Sequence, residues 1–185
     1  QDRALLLEAG RSPALAGVCA LALEKLPAAD AALLDLAAAG AGLARSLALE
    51  RLALRHLENP APFAPLVPRA LALAAGIEDP LERAWAAVPL LEAARADERL
   101  ASEPALAAPV LACLEAVSRG GWNGGPGPGL ARLPGAVRTA QALIGSESID
   151  ESVRLAAASA VLDARPMPAG AVRLAAEKLL ARVRE

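Results

Sequence analysis

Apolar residues recur along this chain at three- and four-residue spacing and seldom alternate with polar ones. That spacing predicts helices rather than strands. Pro and Gly interrupt the runs and set ten predicted helices, at 2–9, 13–26, 28–39, 43–58, 65–75, 80–95, 103–118, 134–144, 151–164 and 168–184. Ser12-Pro13 and Asp79-Pro80 each place a capping oxygen ahead of a first-turn proline, and Glu82 completes a capping box with Asp79. Ser102 takes the same position ahead of Pro104. Gly10, Gly40, Gly76 and Gly120 follow predicted helix ends, where a left-handed residue is expected. Pro89 and Pro109 fall inside helical runs and predict kinks, because each removes a backbone donor. The prolines between Asn59 and Pro68 predict a stiff, extended connector between repeats.

The faces of the predicted helices carry more than their number. In 43–58, Leu43, Leu47, Leu54 and Leu57 share one face, while Leu49 and Leu52 point the other way. In 151–164, Val153, Ala157, Ala160 and Ala164 share a face, with Leu155 and Leu162 opposite. A helix on the surface of a simple globule is apolar along one stripe. Helices apolar on two faces are expected between layers of other helices.

Composition sharpens this expectation. Alanine and leucine, both strong helix formers, make up nearly half of the 185 residues. There is no Tyr, and Phe63, Trp85 and Trp122 are the only other aromatic residues apart from His56. An alanine-rich core gains little from each buried methyl, so its helices must approach closely. The net charge of −2 is unevenly spread: residues 1–118 carry ten basic and fifteen acidic side chains, and residues 119–185 carry nine and six. The basic residues are nearly all Arg, with Lys25 and Lys178 as exceptions. Cys19 and Cys113 sit in apolar runs and read as small buried hydrophobes, with no disulfide or metal spacing. The longest uncharged apolar run, 13–23, is too short to span a bilayer. The chain starts Gln-Asp-Arg without Met, which reads as a processed product or a fragment; a cytoplasmic setting is expected.

Val137-Arg138 and Val172-Arg173 lie 35 residues apart, a helical-hairpin repeat period. Residues 150–162 read Asp150-x-x-Val153-Arg154-x-x-Ala157-Ala158-x-Ala160-Val161-Leu162, which closely resembles the HEAT-repeat pattern. Residues 79–90 are similar, with Asp79, Arg83, Ala86, Ala87 and Leu90 in register and Glu82 in place of the valine. The resemblance implies an all-α fold, an α-solenoid of about five stacked helical hairpins, as a single domain over 1–185. The alternative is an irregular helical bundle. In the family the turn Asp and the Arg tend to bond between adjacent repeats, which makes Asp79, Arg83, Asp150 and Arg154 structural. One difficulty is visible beforehand: pairing ten helices in order puts 80–95 second in its hairpin and 151–164 first, although both carry the motif.

The candidate chemistry is sparse. Gly120-Gly121-Trp122-Asn123 opens a glycine-rich loop over 120–129, but no Gly-Lys-Ser/Thr follows and no strand precedes it, so it does not read as a phosphate loop. Trp122 is instead a candidate partner anchor. His56, near the end of 43–58, has no metal-ligand spacing and reads as a cation at a helix C-terminus. Acid pairs such as Asp97-Glu98 and Asp150-Glu151 fall at helix starts or turns. No nucleophile elbow or carboxylate dyad stands out. The expectation is a protein-binding or scaffolding module with no catalytic activity, cofactor or metal, whose partner-binding residues are Trp122, Arg138 and Arg173. Two alternatives remain. Some HEAT-like proteins are DNA glycosylases that remove alkylated bases, so a nucleic-acid module is one; a structural or regulatory domain of a larger protein is the other.

Overall fold

The computed structural model describes residues 2–59, 61–94, 103–119 and 130–183. Among these residues the chain is all-helical, without strands. The helices are α1 (Asp2–Ala9), α2 (Pro13–Leu23), α3 (Ala29–Ala39), α4 (Gly42–Leu54), α5 (Val67–Ala75), α6 (Pro80–Ala93), α7 (Pro104–Ser118), α8 (Pro134–Gly145), α9 (Glu151–Asp163) and α10 (Ala171–Arg182). Each answers to one predicted helix. Ser102, Gly120, Trp122 and the Asp97-Glu98 pair lie outside the described residues.

The helix starts separate real caps from apparent ones. Asp79 accepts from the Leu81 and Glu82 amides at 2.9 Å each, and Asp150 accepts from the Ser152 amide at 2.8 Å. Ser12 sits in the cap position of α2 but its hydroxyl makes no capping bond. Its backbone carbonyl instead takes the amides of both Leu15 and Ala16, and the residues of this first turn face solvent. The expected left-handed glycines also differ: Gly40 and Gly76 have φ of −81° and −78°. Left-handed backbone falls at Ala28, Gly42 and Gly170. Gly10 is there for space, since a Cβ would come within 2.7 Å of Leu36 Cδ1 and 2.9 Å of the Leu6 carbonyl oxygen.

The proline-rich connector is not extended. Ala61–Leu66 forms a 3₁₀ helix, and Phe63 within it is fully buried. Proline fixes φ near the helical value, so Pro62 and Pro65 suit a tight helix as well as an extended strand, and burial of Phe63 decides between them. Pro89 and Pro109 lie inside α6 and α7, and both helices run through them.

Packing follows a simple rule. Every substantial helix–helix contact among the described residues joins first or second neighbours in the chain. Second neighbours form two files: α1, α3, α5, α7 and α9 pack successively, and so do α2, α4, α6, α8 and α10. First neighbours join the files, most extensively α3 with α4 and α9 with α10. One continuous apolar cluster runs from Ala20 in α2 to Leu179 in α10. The small residues of the motif sit deep in it: Ala86, Ala87, Ala157 and Ala158 are fully buried. The two-face expectation is met unevenly. In α4, Leu49 and Leu52 are fully buried, but Leu54 on the other face is 42% exposed. In α9, Ala157, Ala160 and Ala164 are buried while Leu155 and Leu162 pack half-buried on the core.

Candidate functional site

The motif arginines act at turns. Arg83 Nε donates to the Ile77 carbonyl at 2.8 Å, just past the end of α5. Arg154 Nε donates to the Ile144 carbonyl at 3.1 Å, in the last turn of α8. Helix C-terminal carbonyls lack intrahelical donors and carry partial negative charge, so a guanidinium fits there. Asp79 and Asp150, meanwhile, cap the helices on which these arginines sit. The four residues therefore bind a helix–turn–helix link from both sides. This explains the register difficulty: α6 and α9 stand in different files, and the motif marks a kind of turn rather than a place in a hairpin.

A third arginine was missed from sequence. Arg45 Nε donates to the Ala37 carbonyl at 3.0 Å, and its Nη1 reaches the Gly76 carbonyl at 3.4 Å. It thus links the ends of α3 and α5, neighbours in one file. A search keyed on a turn Asp passes over it, because Gly40-Ala41-Gly42 takes the Asp's place. Beside it lies a recess of about 450 Å³ lined by Arg45, Gly76, Glu78, Asp79 and Glu82, together with Ala41 and Gly42. Its cation and one of its carboxylates are already engaged in the turn bonds.

Of the predicted partner residues, Arg138 and Arg173 stand on different helices, α8 and α10. Arg138 is exposed on α8 and lines a second recess of about 540 Å³ with Gln141, Ala142, Gly145 and Ser146. These positions recur at three- and four-residue spacing, so they form one face of the helix. Arg173 is exposed on α10 and pairs with Glu177 of its own helix at 2.7 Å. Trp122 is outside the described residues.

His56 sits beyond the end of α4 and is nearly buried. Its Nε2 lies 2.9 Å from Asp30 Oδ2, and its ring stacks on Phe63 with centroids 5.3 Å apart. Arg55 Nε donates to the other oxygen of Asp30 at 2.9 Å. The histidine expected at the α4 C-terminus therefore serves as a tie between the start of α3, the end of α4 and the 3₁₀ segment. The Cys113 thiol is pushed up to about 12 by burial, with Arg83 pulling weakly the other way, so it stays protonated and unreactive at neutral pH. Among the described residues no group of three or more His, Cys, Asp or Glu is set to hold a metal. No helix among them is long and apolar enough to cross a membrane.

A tie that sequence reasoning missed joins α6 to α8. Glu92 Oε1 accepts from the Gly135 amide at 2.7 Å and the Ala136 amide at 3.3 Å. A Cβ at Gly135 would lie 2.8 Å from Glu92 Cα and from the Leu91 carbonyl oxygen, so glycine is what permits the approach. This cap comes from a residue 43 positions away, out of reach of any local cap pattern.

No protein-family model matches this chain, and neither the curated proteins nor the solved structures contain a match to it.

Proposed function

We propose that this chain is a HEAT-like α-solenoid of about five helical hairpins that serves as a protein-binding or scaffolding module in the cytoplasm. The observation that carries this reading is the packing rule, in which, among the described residues, helices touch only their first and second neighbours to any substantial extent. A stack built by nearest-neighbour contacts is quasi-one-dimensional and offers a long outer surface at little cost to its core. The fully buried alanine pairs of α6 and α9 support close layering. So do the arginine ties at three of the inter-helix turns, α3/α4, α5/α6 and α8/α9.

The test starts from affinity capture with the intact chain, followed by calorimetric binding of the identified, purified partner. Hydrogen exchange then maps the contact. The expected outcome is a protein partner whose binding protects outward-facing residues of consecutive helices in one file. Steeply salt-dependent binding to duplex DNA with no protein partner would overturn the reading in favour of a nucleic-acid module.

A further inference from the structure

Most described arginines have structural work. Six of them pair with carboxylates: Arg3, Arg11, Arg55, Arg69, Arg119 and Arg173. Arg45, Arg83, Arg154 and Arg165 donate to backbone carbonyls. Arg51, Arg132, Arg138 and Arg182 bond to no other described residue, and of these Arg138 is exposed and lines the 540 Å³ recess on α8. Three further features give that recess a chemical direction. Gln141, one turn along the same face, supplies an amide donor. Ala142 and Gly145 leave a small-residue floor, and a Cβ at Gly145 would meet nothing within 4 Å. No carboxylate stands among the described lining residues, and the chain from 119 to 185 carries nine basic against six acidic residues.

We propose that this recess receives an acidic segment of a partner protein, with a side-chain carboxylate on Arg138 and an apolar side chain over Ala142 and Gly145. The inference rests on the protein-binding reading and names the partner's chemistry. Guanidinium and carboxylate match in geometry as well as charge, which makes arginine the better reader of a planar anion. Arg138 sets where the carboxylate sits, and the small residues Ala142 and Gly145 leave room beside it for the apolar side chain. An acidic peptide would also be drawn by the positive balance of this part of the chain, an attraction that salt weakens.

The test uses the intact chain and fluorescence anisotropy with a short labelled peptide of alternating Glu and Leu. Peptides with Gln or Lys in place of Glu are the comparisons. Arg138→Glu and Gly145→Leu are the variants; both positions face solvent, and a melting curve for each checks that the fold is kept. The Glu peptide is expected to bind wild type at least about tenfold more tightly than the Gln peptide. Its affinity is expected to fall by a similar factor in each variant, while Arg138→Glu gains affinity for the Lys peptide. Equal binding of Glu and Gln peptides, no binding of any peptide, or undiminished binding to Arg138→Glu would overturn the inference. If a captured protein partner binds both variants as tightly as wild type, this inference falls and the protein-binding reading stands. If duplex DNA binds and Arg138→Glu abolishes it, with no protein partner found, both fall.

Discussion

Asp79 and Asp150 stand four residues ahead of Arg83 and Arg154 and do the same work at two turns. Replacing Asp79 with Ala removes the acceptor for two first-turn amides, and a loss of about 1 kcal/mol in denaturant titration is expected. Asp150 adds a pH signature. Hydrogen bonds from the Ser152 hydroxyl first, and then from the Ser152 amide, hold its carboxyl below the usual carboxylate range. A carboxyl depressed in the folded state stabilises fully above its unfolded pKa of about 3.9, and that contribution fades as pH falls through the folded value. Asp150→Asn should therefore melt below wild type at neutral pH, with the gap closing in strong acid; a gap that widens on acidification would contradict the assignment. Glycines make the contrast sharper still. Gly135→Ala drives a Cβ to 2.8 Å from the backbone of α6, and a loss of roughly 1–3 kcal/mol is expected. Gly145→Ala, in the same helix with open space around it, should be neutral or stabilising by up to about 1 kcal/mol. Urea midpoints for the two variants give the comparison directly.

Among elements, the helices were legible because proline, glycine and apolar spacing all spoke to the same bounds. The connector at 59–68 was not. Proline restricts φ in a way common to extended and 3₁₀ backbone, and only the place of Phe63 in the core distinguishes them. Phe63 also carries His56 against its ring, and His56 carries Asp30. Phe63→Ala is expected to cost roughly 3–5 kcal/mol, as for other fully buried aromatics. Its effect should extend to the start of α3, where hydrogen exchange of the Ala32 amide, bonded to the Ala28 carbonyl, reports loosening. Protection unchanged at Ala32 would show that the His56–Asp30 tie holds without the aromatic.

At the scale of the whole molecule, the files of helices make a prediction that a closed bundle does not. Among the described residues, α9 and α10 pack substantially only on each other and on α7 and α8. Ending the chain before residue 150 should leave α1–α8 helical and cooperatively folded, with a lower melting temperature. Loss of the helical circular-dichroism signal at room temperature in that truncated chain would mean a single shared core instead. The candidate site was only partly legible at this scale. Arg138 drew attention because Val137-Arg138 echoes the motif. Yet the same echo at Val172-Arg173 leads to an intrahelical ion pair, and the stronger matches at Arg83 and Arg154 lead to turn carbonyls. Arginines at matching motif positions take different roles because helix rotation and neighbouring chain ends decide what lies within reach of a guanidinium.

The order of residues by itself settled where helices form, since that depends on local propensity, capping and spacing. It also settled that alanine would line their contacts, since small buried side chains are what allow close approach. Tertiary structure alone decided which arginines are engaged and which is left facing an open recess, that Glu92 caps a helix far along the chain, and that Phe63 turns a proline-rich link into a short helix. Those outcomes depend on distances between segments remote in sequence, and no local pattern carries that information.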